Sequence, residues 1–205
     1  TPQHAAHKRI SLSLAALLHD VGKPATPTID DDVRGLFFGH ESAGADIAAN
    51  RASALRLSNG EIEWVSTVIR HHMRPHWLAA NPPLTPRAIY RFWRDTGAAG
   101  VDVCLLAMAD YLATYDVTLD VGQWTHYVET IQPLLTRYFM FRSTAVEPPP
   151  LVNGTQLLER FNLKPGPFIG ELLEQLREAQ VSQAVTTQQE ALDFVQRLLD
   201  HQSSE

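Results

Sequence analysis

The segment Leu14-Ala15-Ala16-Leu17-Leu18-His19-Asp20-Val21-Gly22-Lys23-Pro24 constrains the fold more than any other stretch of this 205-residue chain. It is an apolar helical run that ends in an imidazole and a carboxylate side by side. Gly22 and Pro24 stop the helix just after the pair, as a glycine past a C-cap and a following proline usually do. Burying an unpaired carboxylate is costly. A divalent cation between His19 and Asp20 removes that cost, whereas a helix end that meets solvent never incurs it. Successive helical side chains diverge by roughly 100°, so an ion near this helix end would need further ligands from elsewhere.

Candidates lie downstream: His40 in Phe37-Phe38-Gly39-His40-Glu41, the pair His71-His72, and Asp110 in Leu106-Ala107-Met108-Ala109-Asp110-Tyr111. Ile62, Val65, Ile69 and His72 share one helical stripe, and Trp64, Val68 and His71 form its neighbour. Val103, Leu106, Asp110 and Ala113 repeat the pattern, so His72 and Asp110 both occupy positions where an apolar side chain is expected. A buried histidine can be satisfied by hydrogen bonds alone, but a buried aspartate needs a cation or several donors. A mixed imidazole and carboxylate set suits manganese, iron, nickel, cobalt or zinc better than calcium, with magnesium as a further candidate. One or two ions per chain are expected.

The periodicities predict an all-α chain, with helices at about 9–20, 41–56, 59–75, 86–96, 99–115, 121–142, 154–162, 167–179 and 187–200. Residues 24–39 are the exception and read as a small hairpin or an ordered loop. Their Asp30-Asp31-Asp32 cluster fits a solvated turn better than a metal site. Thr85 and Pro86 read as the cap and first residue of the next helix. The one cysteine, Cys104, sits in an apolar helical context without a charged activator, which fits a core residue rather than a nucleophile. With no intrachain disulfide to form, the cytoplasm is the expected compartment. No apolar run approaches the roughly 20 residues of a membrane span, so no membrane partner is expected. A net charge of −6 excludes a broad basic footprint for nucleic acid, though not a local one. The chain begins at Thr1 with no signal-peptide pattern and reads as a piece of a longer protein.

Glu147-Pro148-Pro149-Pro150 reads as a linker, since three prolines end a helix and favour extended backbone. It divides a first domain, residues 1–146, from a helical tail, residues 151–205. In the tail, Lys164-Pro165-Gly166-Pro167 runs straight into a helix. Free amides at a helix start attract phosphate, and glycine permits close approach; an ordinary proline-initiated helix accounts for the same residues.

The pair His19-Asp20 with His40, His72 (or His71) and Asp110 resembles the ligand pattern of the HD superfamily of metal-dependent phosphohydrolases, over roughly residues 8–145. The resemblance implies a helical bundle in which His19, Asp20 and Asp110 hold a core ion. His40 and His72, with His71 as the alternative, would hold a second. It also implies Asp20 and Lys23 in catalysis, with Lys23, Arg70 and Arg74 offsetting substrate phosphate charge. In that family an upstream histidine completes the set. Here only His4 and His7 precede the pair, and on an unbroken helix His7 stands about 18 Å from His19. Either the helix breaks between them or that ligand lies outside this sequence.

The tail, from Asn153-Gly154 through Gly170 and then Thr187, Glu190-Ala191-Leu192 and Val195, is similar to the C-terminal segment of bacterial tRNA nucleotidyltransferases. These CCA-adding and poly(A) polymerase-type proteins often carry an HD domain beside it. The chain contains no Asp-x-Asp pair after a Gly-Ser strand and no P-loop or Rossmann glycine pattern, so nucleotide addition by this chain alone is not expected. Two functions follow: hydrolysis of a phosphoester or cyclic phosphodiester on a nucleotide or RNA end, or a non-catalytic tRNA-binding body. For the second, Lys164, Gly166 and Gly170 are the candidate RNA contacts, with Arg137, Arg142 and Arg160. A homodimer is a further expected partner state.

Overall fold

The computed structural model describes residues 2–26 and 37–202, with side chains from Arg9 to His201. Most of the loop expected between Pro24 and Gly39, with its aspartate triplet, lies outside the described residues. Among those described there is no strand. Ten α-helices follow one another: α1 (Pro2–Leu18), α2 (His40–Ala54), α3 (Asn59–His71), α4 (Arg74–Ala80), α5 (Pro86–Thr96), α6 (Gly100–Tyr115), α7 (Val121–Met140), α8 (Gly154–Phe161), α9 (Pro167–Val181) and α10 (Gln188–Gln202). Short 3-10 turns at Lys23–Ala25, Gly97–Ala99 and Asp116–Thr118, and a π turn at Arg142–Val146, punctuate them. The all-α expectation is met.

The boundaries differ in one informative place. The helix expected to run to residue 75 stops at His71, and a new helix starts at Arg74 with Pro75 in its first turn. Proline lacks the amide hydrogen that would continue the α3 ladder, yet it is well suited to start a helix. The chain therefore turns just where His72 lies.

Two compact units form, one from residues 1–82 and 95–135, the other from 83–94 and from 136 onward. In the first, α2 and α1 both pack on α3, and α6 packs on α3 as well. Ala15, Ala45, Ala48 and Ala52 are fully buried, and their small size lets helices approach closely around Val65, Val68 and Ile69. A capping box starts α3: Ser58 N–H donates to Glu61 Oε2 at 2.8 Å and Glu61 N–H to Ser58 Oγ. Cys104 is fully buried, and burial pushes its thiol up to about 12, which makes it a core residue. The most apolar stretch, within Pro86–Thr118, passes a length-and-composition test for a membrane span. It is interrupted by the Gly97–Ala99 turn, and Val103, Cys104, Leu106 and Ala107 are core residues.

The second unit is built around Leu157, Leu172, Leu176, Ala191 and Val195. Asn153 and Gln156 form the capping box of α8, and Asn162, in left-handed backbone, ends it. Thr85 Oγ1 caps α5 as expected, accepting from Ala88 N–H at 3.1 Å. The α5 face Arg87 and Arg91 clasps Glu178 of α9, whose side chain is buried.

Arg91, and then Arg87, hold the Glu178 carboxyl below its ordinary value of 4.5. The folded state therefore favours the ionised form. Its stabilising contribution is present above about pH 4.5 and is lost as pH falls below it. The urea midpoint of the second unit is expected to drop across that range, and Glu178→Gln is expected to flatten the drop while lowering stability at neutral pH.

Candidate metal centre and its cleft

Four elements of the first unit deliver the expected ligands to one place. α1 ends at Leu18, and His19 and Asp20 follow in the turn before the Lys23–Ala25 helix. His40 is the first residue of α2, after Gly39 at φ +79°, a left-handed conformation that favours glycine. Gly22 lies directly against that start. A Cβ there would fall 2.1 Å from the His40 carbonyl oxygen and 2.6 Å from the Gly44 nitrogen, so only glycine lets the two segments touch. His72 caps α3, and Asp110 sits within α6.

Each of the three histidines is fixed the same way. His19 Nδ1 lies 2.8 Å from the Ala16 carbonyl, His40 Nδ1 2.7 Å from that of Phe37, and His72 Nδ1 2.7 Å from that of Ile69. A carbonyl only accepts, so Nδ1 carries the hydrogen in each ring and Nε2 of the neutral ring presents a lone pair. The Nε2 atoms then converge. His40 Nε2 and His72 Nε2 are 3.3 Å apart, and they lie 3.5 and 4.0 Å from Asp20 Oδ1. His19 Nε2 is 3.4 Å from Asp20 Oδ2 and from Asp110 Oδ1. It is buried and has no hydrogen-bond partner: with the ring hydrogen on Nδ1, Nε2 faces two oxygens that can only accept.

The charge pattern agrees. Burial pushes His72 down to about 4, so it is neutral near pH 7. The close imidazoles of His19, and then His76, hold Asp110 far below the ordinary carboxylate range. Asp110 in turn raises His19. Ligand atoms of His19, Asp20 and His72 all lie within 4.8 Å of one another. Donors bonded at about 2.0–2.2 Å to one ion are separated by about 3–4 Å. The orphaned His19 nitrogen and the facing Nε2 atoms of His40 and His72, with two carboxylates beside them, are a donor set that fits a divalent cation.

Other expected residues are placed elsewhere. His71 stays outside the cluster, lowered by burial and by Arg74, with Asp95 among its neighbours. Arg70 is held by Ser42 and Asp46 on α2, and Arg74 donates to Asp95 at 2.6 Å. Lys23 does reach the centre, donating to Asp20 Oδ2 at 2.6 Å. His76, which the sequence analysis did not single out, lies 3.5 Å from Asp110 Oδ2 with a buried, unpartnered Nε2. Its signal was the one-turn spacing from His72. In the second unit Lys164, Gly166 and Gly170 are all exposed. Gly166 has an extended φ of 169°, which any residue adopts.

Asp20, His40 and Asp110 of the cluster line a cleft of about 1000 Å³, together with Lys23, His76 and several aromatic side chains. His72→Ala is expected to weaken manganese binding by at least about tenfold, whereas His71→Ala leaves it unchanged; isothermal titration of the metal-stripped proteins checks both.

Residues 4–115, more than half of the chain, match the HD domain family, and residues 130–195 match tRNA nucleotidyltransferase domain 2. The chain is 33% identical over 183 residues to the CC-adding tRNA nucleotidyltransferase of Thermus thermophilus, covering 89% of this chain and 38% of that protein. It is 31% identical over 188 residues to the A-adding tRNA nucleotidyltransferase of Deinococcus radiodurans, covering 91% and 41%. It is 27% identical over 156 residues to a CC-adding tRNA nucleotidyltransferase of Synechocystis, covering 76% and 34%. The chain thus spans about two-fifths or less of the length of these curated relatives. It belongs to the HD-domain family, in the form that continues into a tRNA nucleotidyltransferase domain 2.

Proposed function

We propose that this chain is a metal-dependent phosphohydrolase acting on a phosphoester or cyclic phosphodiester of a nucleotide or RNA end. The observation that carries this is the convergence of three imidazole nitrogens and two carboxylates beside an open cleft. His19, Asp20 and Asp110 would hold one divalent ion, and His40 and His72, sharing Asp20, would hold another. Manganese, iron, nickel, cobalt, zinc and magnesium are the candidates. A bound ion supplies charge stabilisation at a phosphoryl oxygen and lowers the pKa of water.

The chain's own residues account for the rest. The Nδ1 contacts to Ala16, Phe37 and Ile69 hold the rings in the ligating tautomer. Lys23, paired with Asp20 and on the cleft wall, offsets negative charge on a phosphate arriving there. Arg70 and Arg74 are engaged elsewhere and have no part in it. With manganese added, hydrolysis of 2′,3′-cyclic nucleotides or nucleotide monophosphates is expected, and Asp20→Ala is expected to abolish it together with metal content. Hydrolysis that survives Asp20→Ala unchanged would contradict the proposal.

The tail match and the relatives' names favour a second reading in which the helical body binds tRNA. Exposed Lys164, Gly166 and Gly170 would offer backbone and charge, with Arg137 and Arg160 nearby in sequence; Arg142 is engaged with Glu147. Filter binding should then find affinity that falls steeply with salt. Undetectable tRNA binding at low salt would remove this reading.

A further inference from the structure

The cleft wall beyond the ligand cluster is aromatic, and two of its members follow cluster residues directly in the chain: Trp77 after His76 and Tyr111 after Asp110. The rings form a continuous column. His76 stacks on Tyr127 with centroids 5.3 Å apart, Tyr127 on Tyr111 at 4.4 Å, and Tyr111 meets Tyr115 at 4.6 Å. The column starts at the imidazole beside Asp110 and ends at Tyr115, which is 40% exposed. Trp77 lines the same cleft and is 52% exposed, a large ring face left to water inside a concavity. Such surface in a cleft marks a ligand site. A second observation points the same way. Tyr127 lines the cleft and is only 4% exposed, yet its buried hydroxyl has no hydrogen-bond partner.

Building on the hydrolase proposal, we infer that this wall is a base-stacking subsite. A nucleobase lies against Trp77 and the outer tyrosines while its phosphate reaches the cluster. The Gln123 and His126 side chains, which also line the cleft, offer polar contacts to the sugar or base edge. Every base has a π-face, so stacking is tolerant of base identity. The recognised unit is one nucleotide, free or at the end of a chain, rather than a small phosphoester without a base.

The test separates this subsite from hydrolysis by using the metal-stripped protein. Isothermal titration should show adenosine binding where ribose does not. Trp77→Ala should weaken adenosine by about tenfold or more, with manganese uptake unchanged as the folding control, and Trp77→Phe should retain most of the affinity. With metal restored, kcat/KM for adenosine monophosphate should exceed that for ribose 5-phosphate. Its loss in Trp77→Ala should appear chiefly in KM. A trinucleotide ending in the same nucleotide assigns an RNA end if it competes with adenosine and a free nucleotide if it does not. Adenosine binding without any phosphoester turnover keeps the subsite and removes the hydrolase proposal. Turnover that is equal with and without a base, together with no adenosine binding or an unaltered Trp77→Ala, overturns the subsite and leaves hydrolysis standing.

Discussion

Two imidazole Nε2 atoms face each other 3.3 Å apart, each ring tied through its Nδ1 to a backbone carbonyl. Lone pairs at that distance repel, and the Asp20 carboxylate beside them adds negative charge rather than a donor. A divalent cation among them would turn the repulsion into coordination. Much of the first unit serves to impose this arrangement. Gly39 in left-handed backbone starts α2 at His40, Gly22 lets the turn after Asp20 rest against that start, and the end of α3 directs His72 inward. Each histidine is tied to a carbonyl three residues earlier, so ring orientation is set by the local backbone.

Asp110 links the cluster to the cleft. One carboxylate oxygen faces His19 and the other faces His76, and His76 begins the aromatic column. The ligand cluster and the aromatic wall thus share a single helix, α6, through adjacent residues Asp110 and Tyr111. In a helix such neighbours diverge by roughly 100°, which is how one element can serve both the ligand set and the wall. The tail unit has a separate basis for its stability, an apolar core of α8, α9 and α10 with a buried carboxylate clasped by arginines from α5.

Much of this was legible in the sequence, and the exceptions have physical causes. Apolar periodicity placed His72 on the same stripe as Ile69 and made Asp110 conspicuous; His72 is fully buried beside Ile69, and Asp110 is half-buried. His71, one residue away, is turned onto a different face and stays outside. Arg70 and Arg74 are near His72 in sequence, but Arg70 lies on another face of α3 and Arg74 lies beyond the chain turn, at the start of α4. Their partners, Asp46 and Asp95, come from segments that no local pattern links to them. Lys23 stays at the site because a tight turn, not a helix face, separates it from Asp20. His76 required knowing that Pro75 starts a new helix just past His72, which brings a ring one turn later back to Asp110. Composition gave no sign that α5 groups with the tail, since its arginines answer a glutamate almost ninety residues away.

The most direct test of the central claim is anomalous diffraction from crystals of the untagged protein grown with manganese, with data collected on both sides of the metal absorption edge. The account predicts a peak bounded by the Nε2 atoms of His19, His40 and His72 and the carboxylates of Asp20 and Asp110, lost in Asp20→Ala. An ordered cluster with no peak there at saturating manganese would contradict it.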